Sequence, residues 1–239
     1  MWSLPGAAAS DQDALRRILW QERVLLGVPD HVVADPSPTT RGLPGAFLNI
    51  PYDNTFQSLY LAYIAGITAF GLAPQATLEI PGGARRLDRI FDLINSCRYS
   101  FHDLSRVELD VPRPATPRFN MPFELGLAVA WDKLNAGQHV WFVLEAKSRR
   151  LHKSLSDLGG TDVYVHGGKP QGVFRELCNA LVRTERQPTV QRMTGIYRGL
   201  VEVLPDIKRR AGAKSAFEAR VFADLIVTSL ALADRGLGR

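Results

Sequence analysis

Residues 94–130, INSCRYSFHDLSRVELDVPRPATPRFNMPFELGLAVA, decide how the rest of the chain is read. They spell the end of one helix, a short strand, a proline-punctuated loop and the start of another helix. Asp103 follows Tyr99 and Phe101, where a buried strand should end, and Glu124 follows Asn120 and Pro122, which announce a helix. In open α/β sheets, strand ends and the starts of the following helices form the ligand crevice. The stretch therefore brings two acids and several backbone N–H groups to one cleft.

Outward from it, strands are expected at 46–50, 76–80, 99–104, 140–144 and 162–165, the first bounded by Gly45 and Pro51. Between them lie helical patterns at 55–70, 86–96, 122–134, 153–158 (a short helix or turn) and 172–183. Gly71 sits where a helix C′ glycine belongs. Leu59, Tyr63, Ile67 and Phe70 share one face of their helix. So do Leu87, Ile90, Leu93 and Ile94 in the next, and Phe123, Leu127, Ala130 and Trp131 in the one after. Five alternations without a hairpin signal demand right-handed crossovers. That predicts an α/β doubly wound, flavodoxin-like fold: a five-stranded parallel sheet with extra N- and C-terminal helices. The expected division is an N-terminal helix and linker (1–45, with the helix at 11–26), the α/β domain (46–186) and a C-terminal helical extension (187–239). In the last, Phe217, Val221, Leu225, Ser229 and Leu232 form an apolar stripe, to be covered by the sheet domain or by a second copy in a homodimer.

A net charge of +5, from 29 basic and 24 acidic residues, is mild and dispersed. The densest cluster, Lys208, Arg209, Arg210 and Lys214, reads as a solvated helix end, so a nucleic-acid partner is not expected. Cys97 and Cys178 form no metal-spaced pair and suit a reducing cytoplasm. No apolar run reaches the roughly 18 residues of a membrane span, and residues 1–12 lack the pattern of a signal peptide. Without GxGxxG, GxxxxGK[ST], HExxH or GxSxG, dinucleotide redox, NTPase, zincin and α/β-hydrolase chemistry find no support. No metal or cofactor is expected.

Glu124 has two readings. As a first-turn acid it complements the helix dipole, worth ~0.3–1 kcal/mol, although Met121 stands where a capping box wants Ser or Thr. As a catalytic carboxylate, held ionised by the helix N-terminus, it stabilises or attacks an oxocarbenium-like sugar carbon. Asp103, with His102 and Ser105, binds a ribose hydroxyl or orients a base, or else forms an ordinary Asx turn. Taken alone, His102 reads as a core-edge histidine. Pro51, Tyr52, Asp53 and Asn54 follow the first strand, where sugars and phosphates dock.

Three segments carry a resemblance: FLNIPYDN (47–54), CRYSFHDLSR (97–106) and RFNMPFELGLAVA (118–130). Together they resemble the nucleoside 2-deoxyribosyltransferase and TIR-like superfamily, and more closely a group of bacterial proteins near it, over about residues 46–183. In that superfamily a strand ends in an acid, and a later helix opens with Glu in an ELG context; the matching positions are Asp103 and Glu124-Leu125-Gly126. The resemblance implies that Glu124 is the nucleophile or catalytic acid, with Tyr52 and Asp103 on the ribose. It implies that Asn120 positions the substrate or the helix start, with Met121 beside it. Where the transferases place Asp-x-Gly-Thr, this chain has the bulkier run from Arg118 to Phe123. The expected activity is cleavage or transfer at the N-glycosidic bond of NAD or a nucleoside. The alternatives are a non-catalytic nucleotide-sensing module and an interaction protein working through its C-terminal helices.

Overall fold

In the computed structural model, which describes residues 40, 42–79, 85–106 and 118–235, five strands pair in parallel throughout. They are β1 (Gly45–Asn49), β2 (Ala73–Gln75), β3 (Tyr99–Asp103), β4 (Val140–Glu145) and β5 (Val163–Val165), in the lateral order β2-β1-β3-β4-β5. The helices are α1 (Gln57–Ala69), α2 (Arg86–Ser96), α3 (Asn120–Leu134), α4 (Arg150–Ser154), α5 (Pro170–Ala180), α6 (Val190–Ala211) and α7 (Ala219–Arg235). This is the doubly wound, flavodoxin-like order, with its topological switch between β1 and β3. The expected helix at 11–26, most of the linker after it and the proline-rich stretch at 107–117 lie outside the described residues.

Strand alternation sorts the two faces. Ala46, Leu48 and Phe101 join α1, α5, α6 and α7 in one large core, whereas Phe47 packs with α2 and α3. A third cluster joins Leu104 and Val143 to Met121 and Leu125 of α3 and Leu151 of α4. α1 has no polar side: residues 59–69 are all buried, not only the face carrying Leu59, Tyr63, Ile67 and Phe70. α6 and α7 cover it, with the Thr68 and Ser229 hydroxyls 2.5 Å apart and the Tyr60 hydroxyl donating to the Ala216 carbonyl at 3.3 Å. Val221, Leu225 and Ser229 are fully buried there, and Phe217 and Leu232 partly. The C-terminal stripe is thus spent inside the chain, which removes the reason to expect pairing through it. Gly71 ends α1 in the left-handed region (φ 76°), with the Gly71 and Leu72 N–H groups bonded to Thr68 and Ile67 in a Schellman motif.

Three expectations need correction. The second strand is Ala73–Gln75 rather than 76–80; Pro74 is tolerated because β2 is an edge strand and need not donate on its outer side. The inward face of α3 is Met121, Glu124, Leu125 and Ala128, while Phe123 is 55% exposed and Ala130 faces solvent. Leu87 likewise points outward, at 43%. Among the described residues, no helix is long and apolar enough to cross a membrane.

The junction of β5 and α5 is the tightest backbone approach. A Cβ on Gly172 would lie 1.8 Å from the His166 carbonyl oxygen, whereas one on Gly195 in α6 meets nothing within 4 Å. Gly172→Ala should therefore cost more than about 2 kcal/mol, since backbone must move, while Gly195→Ala should gain about 0.5–1 kcal/mol. Urea denaturation of the two variants beside the parent tests both signs; a neutral Gly172→Ala would refute the close approach.

Candidate functional site

Glu124 holds a core slot of α3. The spacing of 121, 124, 125 and 128 is the i, i+3, i+4, i+7 of one helical face, and a carboxylate interrupts it. It is 3% exposed. Four carboxylates are buried among the described residues: Asp103, Glu124, Glu145 and Glu176. Glu145 is gripped by Arg150 at 2.8–3.1 Å, Glu176 accepts from Arg175 and Asn179, and Asp103 has three donors. Glu124 has none. Burial pushes its pKa up to about 7, against the pull of the Arg86 guanidinium. The expectation of a carboxylate held ionised by the helix N-terminus is corrected on this point. The first turn of α3 contains no acid and its N-cap, Phe119, supplies no side-chain bond, so Glu124 neither caps the helix nor gains its N–H groups. Asn120, exposed at the first helical position, does not cap it either.

Tyr52, Thr77 and Arg86 share this corner. The Tyr52 hydroxyl donates to the Leu48 carbonyl at 2.9 Å. Its pKa is pushed well up, mainly by burial and further by the Glu124 charge, while Thr77 and Arg86 pull it down. Arg86 Nη2 donates to the Thr77 hydroxyl at 3.1 Å. Pro51 is buried beside Tyr52 in the chain. Phe217, from the turn between α6 and α7, packs on the Tyr52 ring at 6.0 Å, so the C-terminal helices support this wall.

The other expected ligand residues are engaged elsewhere. Asp103 is on the α1 side of β3. Its Oδ2 accepts from Tyr63 at 2.7 Å and from His166 Nε2 at 3.0 Å, and its Oδ1 accepts from the Ser105 N–H at 2.9 Å. The last is the Asx turn. The Ser105 hydroxyl lies 3.1 Å from the same His166 Nε2, while His166 Nδ1 accepts from the Gly168 N–H. A Ser-His-Asp relay needs the serine and the aspartate on opposite ring nitrogens; here they share one, so Asp103, Ser105 and His166 are no relay. Asp53 caps the turn at Asn54–Phe56 and pairs with Arg118 at 3.0 Å and Arg106 at 3.4 Å. Burial works against its ionisation, but the Thr55 hydrogen bond and the two guanidiniums outweigh it and hold its pKa below the ordinary value.

His102 is fully buried in a hydrogen-bonded chain whose direction can be assigned throughout. Asn49 Nδ2 donates to the Met121 carbonyl at 3.0 Å and to His102 Nδ1 at 2.8 Å. His102 Nε2 donates to the Ser100 hydroxyl at 2.8 Å, Ser100 to His139 Nε2 at 2.7 Å, and His139 Nδ1 to the Cys97 carbonyl at 2.8 Å. Each ring is neutral and fully satisfied. Burial, then the neighbouring His139, takes the His102 pKa down to about 3. Through the Met121 carbonyl the chain ties the first turn of α3 to β1 and so fixes where Glu124 sits. The Met121 side chain itself is core.

Arg86, Thr77, Asn49, Tyr63 and His166 were not foreseen. Asn49 carried a signal, an amide within an apolar strand; Arg86 looked no different from Arg85 or Arg89. Among the described residues, no group of His, Cys, Asp or Glu is arranged to hold a metal ion. No known protein family, curated protein or solved structure matches the chain.

A carboxyl with a folded pKa above its unfolded value binds more protons when folded, so the fold weakens as pH rises from the ordinary 4.5 through about 7. Glu124→Gln removes that cost and should be more stable than the parent by about 3 kcal/mol at pH 8, with little gain at pH 5. Urea melts at the two pH values check it; equal stability at pH 8 would contradict a desolvated carboxyl. Ser100→Ala should lose about 2 kcal/mol or more, because it strands one buried donor and one buried acceptor, and its thermal melt tests that.

Proposed function

We propose that the chain is a nucleotide-acting N-glycosidase in which Glu124 stabilises or attacks the sugar carbon as the base departs. One observation carries this: a carboxyl that the fold buries at the C-terminal edge of a parallel sheet and leaves unpartnered among the described residues. Groups with burial-perturbed pKa values in such crevices are candidates for chemistry. The resemblance of residues 47–54, 97–106 and 118–130 to the deoxyribosyltransferase and TIR-like superfamily points the same way. In the reaction the C1′–N bond breaks and its electron pair leaves with the base. The carboxylate balances the charge on C1′ or bonds to it, and water then takes the position of the base, its hydroxyl going to C1′ and its proton to solvent. O-glycosidases need a second, proton-donating carboxyl. Asp103 is tied to Tyr63 and His166 and offers none. That favours a base that leaves without protonation, as a nicotinamide bonded through its cationic ring nitrogen does. We place the reaction in the cytoplasm, on the two free cysteines.

A binding module that senses nucleotides without cleaving them is favoured by one fact. A pKa of about 7 leaves roughly half of the Glu124 carboxyls neutral at pH 7.

The test is incubation of the parent and Glu124→Gln with NAD, NADP and a panel of nucleosides, followed by chromatography. The parent should release base, and turnover should rise with pH through an inflection near 7 as Glu124 ionises. Glu124→Gln should lose at least about 100-fold in kcat, the charge counting most in the transition state. A folded Gln variant that cleaves at the parent rate ends the catalytic assignment. Binding without cleavage by either protein selects the sensing module.

A further inference from the structure

We propose that the Glu124 site takes a phosphorylated substrate, and that Arg86, braced by the Thr77 hydroxyl, holds the phosphate; this rests on the N-glycosidase reading for the identity of the rest of the ligand. Arginines here are mostly matched to acids when they are fixed in place: Arg106 and Arg118 to Asp53, Arg150 to Glu145, Arg175 to Glu176. Arg86 is fixed differently. Its Nη2 is bonded at 3.1 Å to Thr77, a neutral group that is itself 3% exposed, so the guanidinium is oriented but its charge is not cancelled. Among the described residues it has no carboxylate within ion-pair distance. Its remaining donors belong to a solvent-exposed residue, a planar fork of the kind that takes two oxygens of one phosphate.

The same guanidinium acts electrostatically on both Glu124 and Tyr52, which places it at their site rather than on an unrelated surface. Glu124 does not serve as its counter-ion: no hydrogen bond joins them, and the carboxyl is driven toward its neutral form despite the cation. A braced cation beside a carboxyl that burial drives toward its neutral form keeps its charge uncancelled, and a phosphate supplies the counter-charge. Arg86 also opens α2, whose N-cap, Arg85, gives no side-chain bond to the free N–H groups of the first turn. Asp88, in that turn, and Asp92, one turn further along, are the opposing charges on the element. A neutral nucleoside would leave Arg86 idle.

The experiment is calorimetric titration of Glu124→Gln, which keeps the site's shape without turnover, with two matched pairs: AMP against adenosine, and nicotinamide mononucleotide against nicotinamide riboside. Each phosphorylated member should bind at least about tenfold more tightly than its nucleoside, the usual scale of a charge-assisted arginine–phosphate contact. Adding Arg86→Gln should bring the preference below about threefold while nucleoside affinity holds, and Arg86→Lys, with charge but no fork, should fall between. Raising salt should weaken only the phosphorylated members. Equal affinity within each pair, or a preference that survives Arg86→Gln, overturns the phosphate assignment and leaves the N-glycosidase reading in place. If none of the four binds and the parent cleaves no nucleoside or nucleotide, the N-glycosidase reading falls and the phosphate subsite with it.

Discussion

A helix without a polar face cannot sit on a surface, and α1 is such a helix. With residues 59–69 all buried, it needs apolar cover on every side, and one sheet supplies only one side. α5, α6 and α7 provide the rest, through Phe174, Leu177, Met193, Leu200, Val221, Phe222 and Leu225. Each of these larger side chains contributes roughly 1.5–3 kcal/mol when taken fully out of water. What reads along the chain as a C-terminal extension is therefore an integral part of the main core. Because Phe217 at the turn of that extension also leans on Tyr52, the demand set by α1 reaches the wall of the candidate site.

The corner around Glu124 and the chain through His102 show opposite uses of burial. In the His102 chain every donor meets an acceptor from Asn49 to the Cys97 carbonyl, and in a low-dielectric interior such a closed system is rigid. Its stiffness holds the first turn of α3 through the Met121 carbonyl. Glu124, on the same helix, is buried and has no hydrogen bond among the described residues. Burial is harmless to the fully bonded histidine chain but shifts the pKa of the carboxyl, and the rigid chain holds the helix that carries it.

Much of the fold was legible in the residues, and the reasons are particular. β4 is an unbroken apolar run (VWFVL), and α2 shows its bounds at Arg86–Ser96 because Leu93 and Ile94 repeat Ile90 at helical spacing. β2 escapes the sequence pattern because a three-residue edge strand containing Pro74 has almost no pattern of its own. The face of α3 was misjudged because Phe123 and Leu127 make as good a stripe as Met121 and Leu125; only tertiary packing decides which is covered. At the candidate site, Glu124 and Tyr52 stand out in the sequence from their places near a helix start and after a strand. The engagement of Asp103 could not, since its partners Tyr63 and His166 lie 40 and 63 residues away. Nor could the orientation of Arg86, which depends on Thr77, nine residues earlier in the chain.

The cover over α1 also has a timetable. Tyr60 is joined to Ala216 across 156 residues and Thr68 to Ser229 across 161. Synthesis at about 5–20 residues per second puts α1 on the order of ten seconds ahead of the helices that shield it. For that interval the sheet's partner helix leaves the ribosome with its outer side bare. Contacts of such sequence separation also form late because of the loop entropy they must close. The apolar outer side of α1 thus stays uncovered until residues 190–235 have been made.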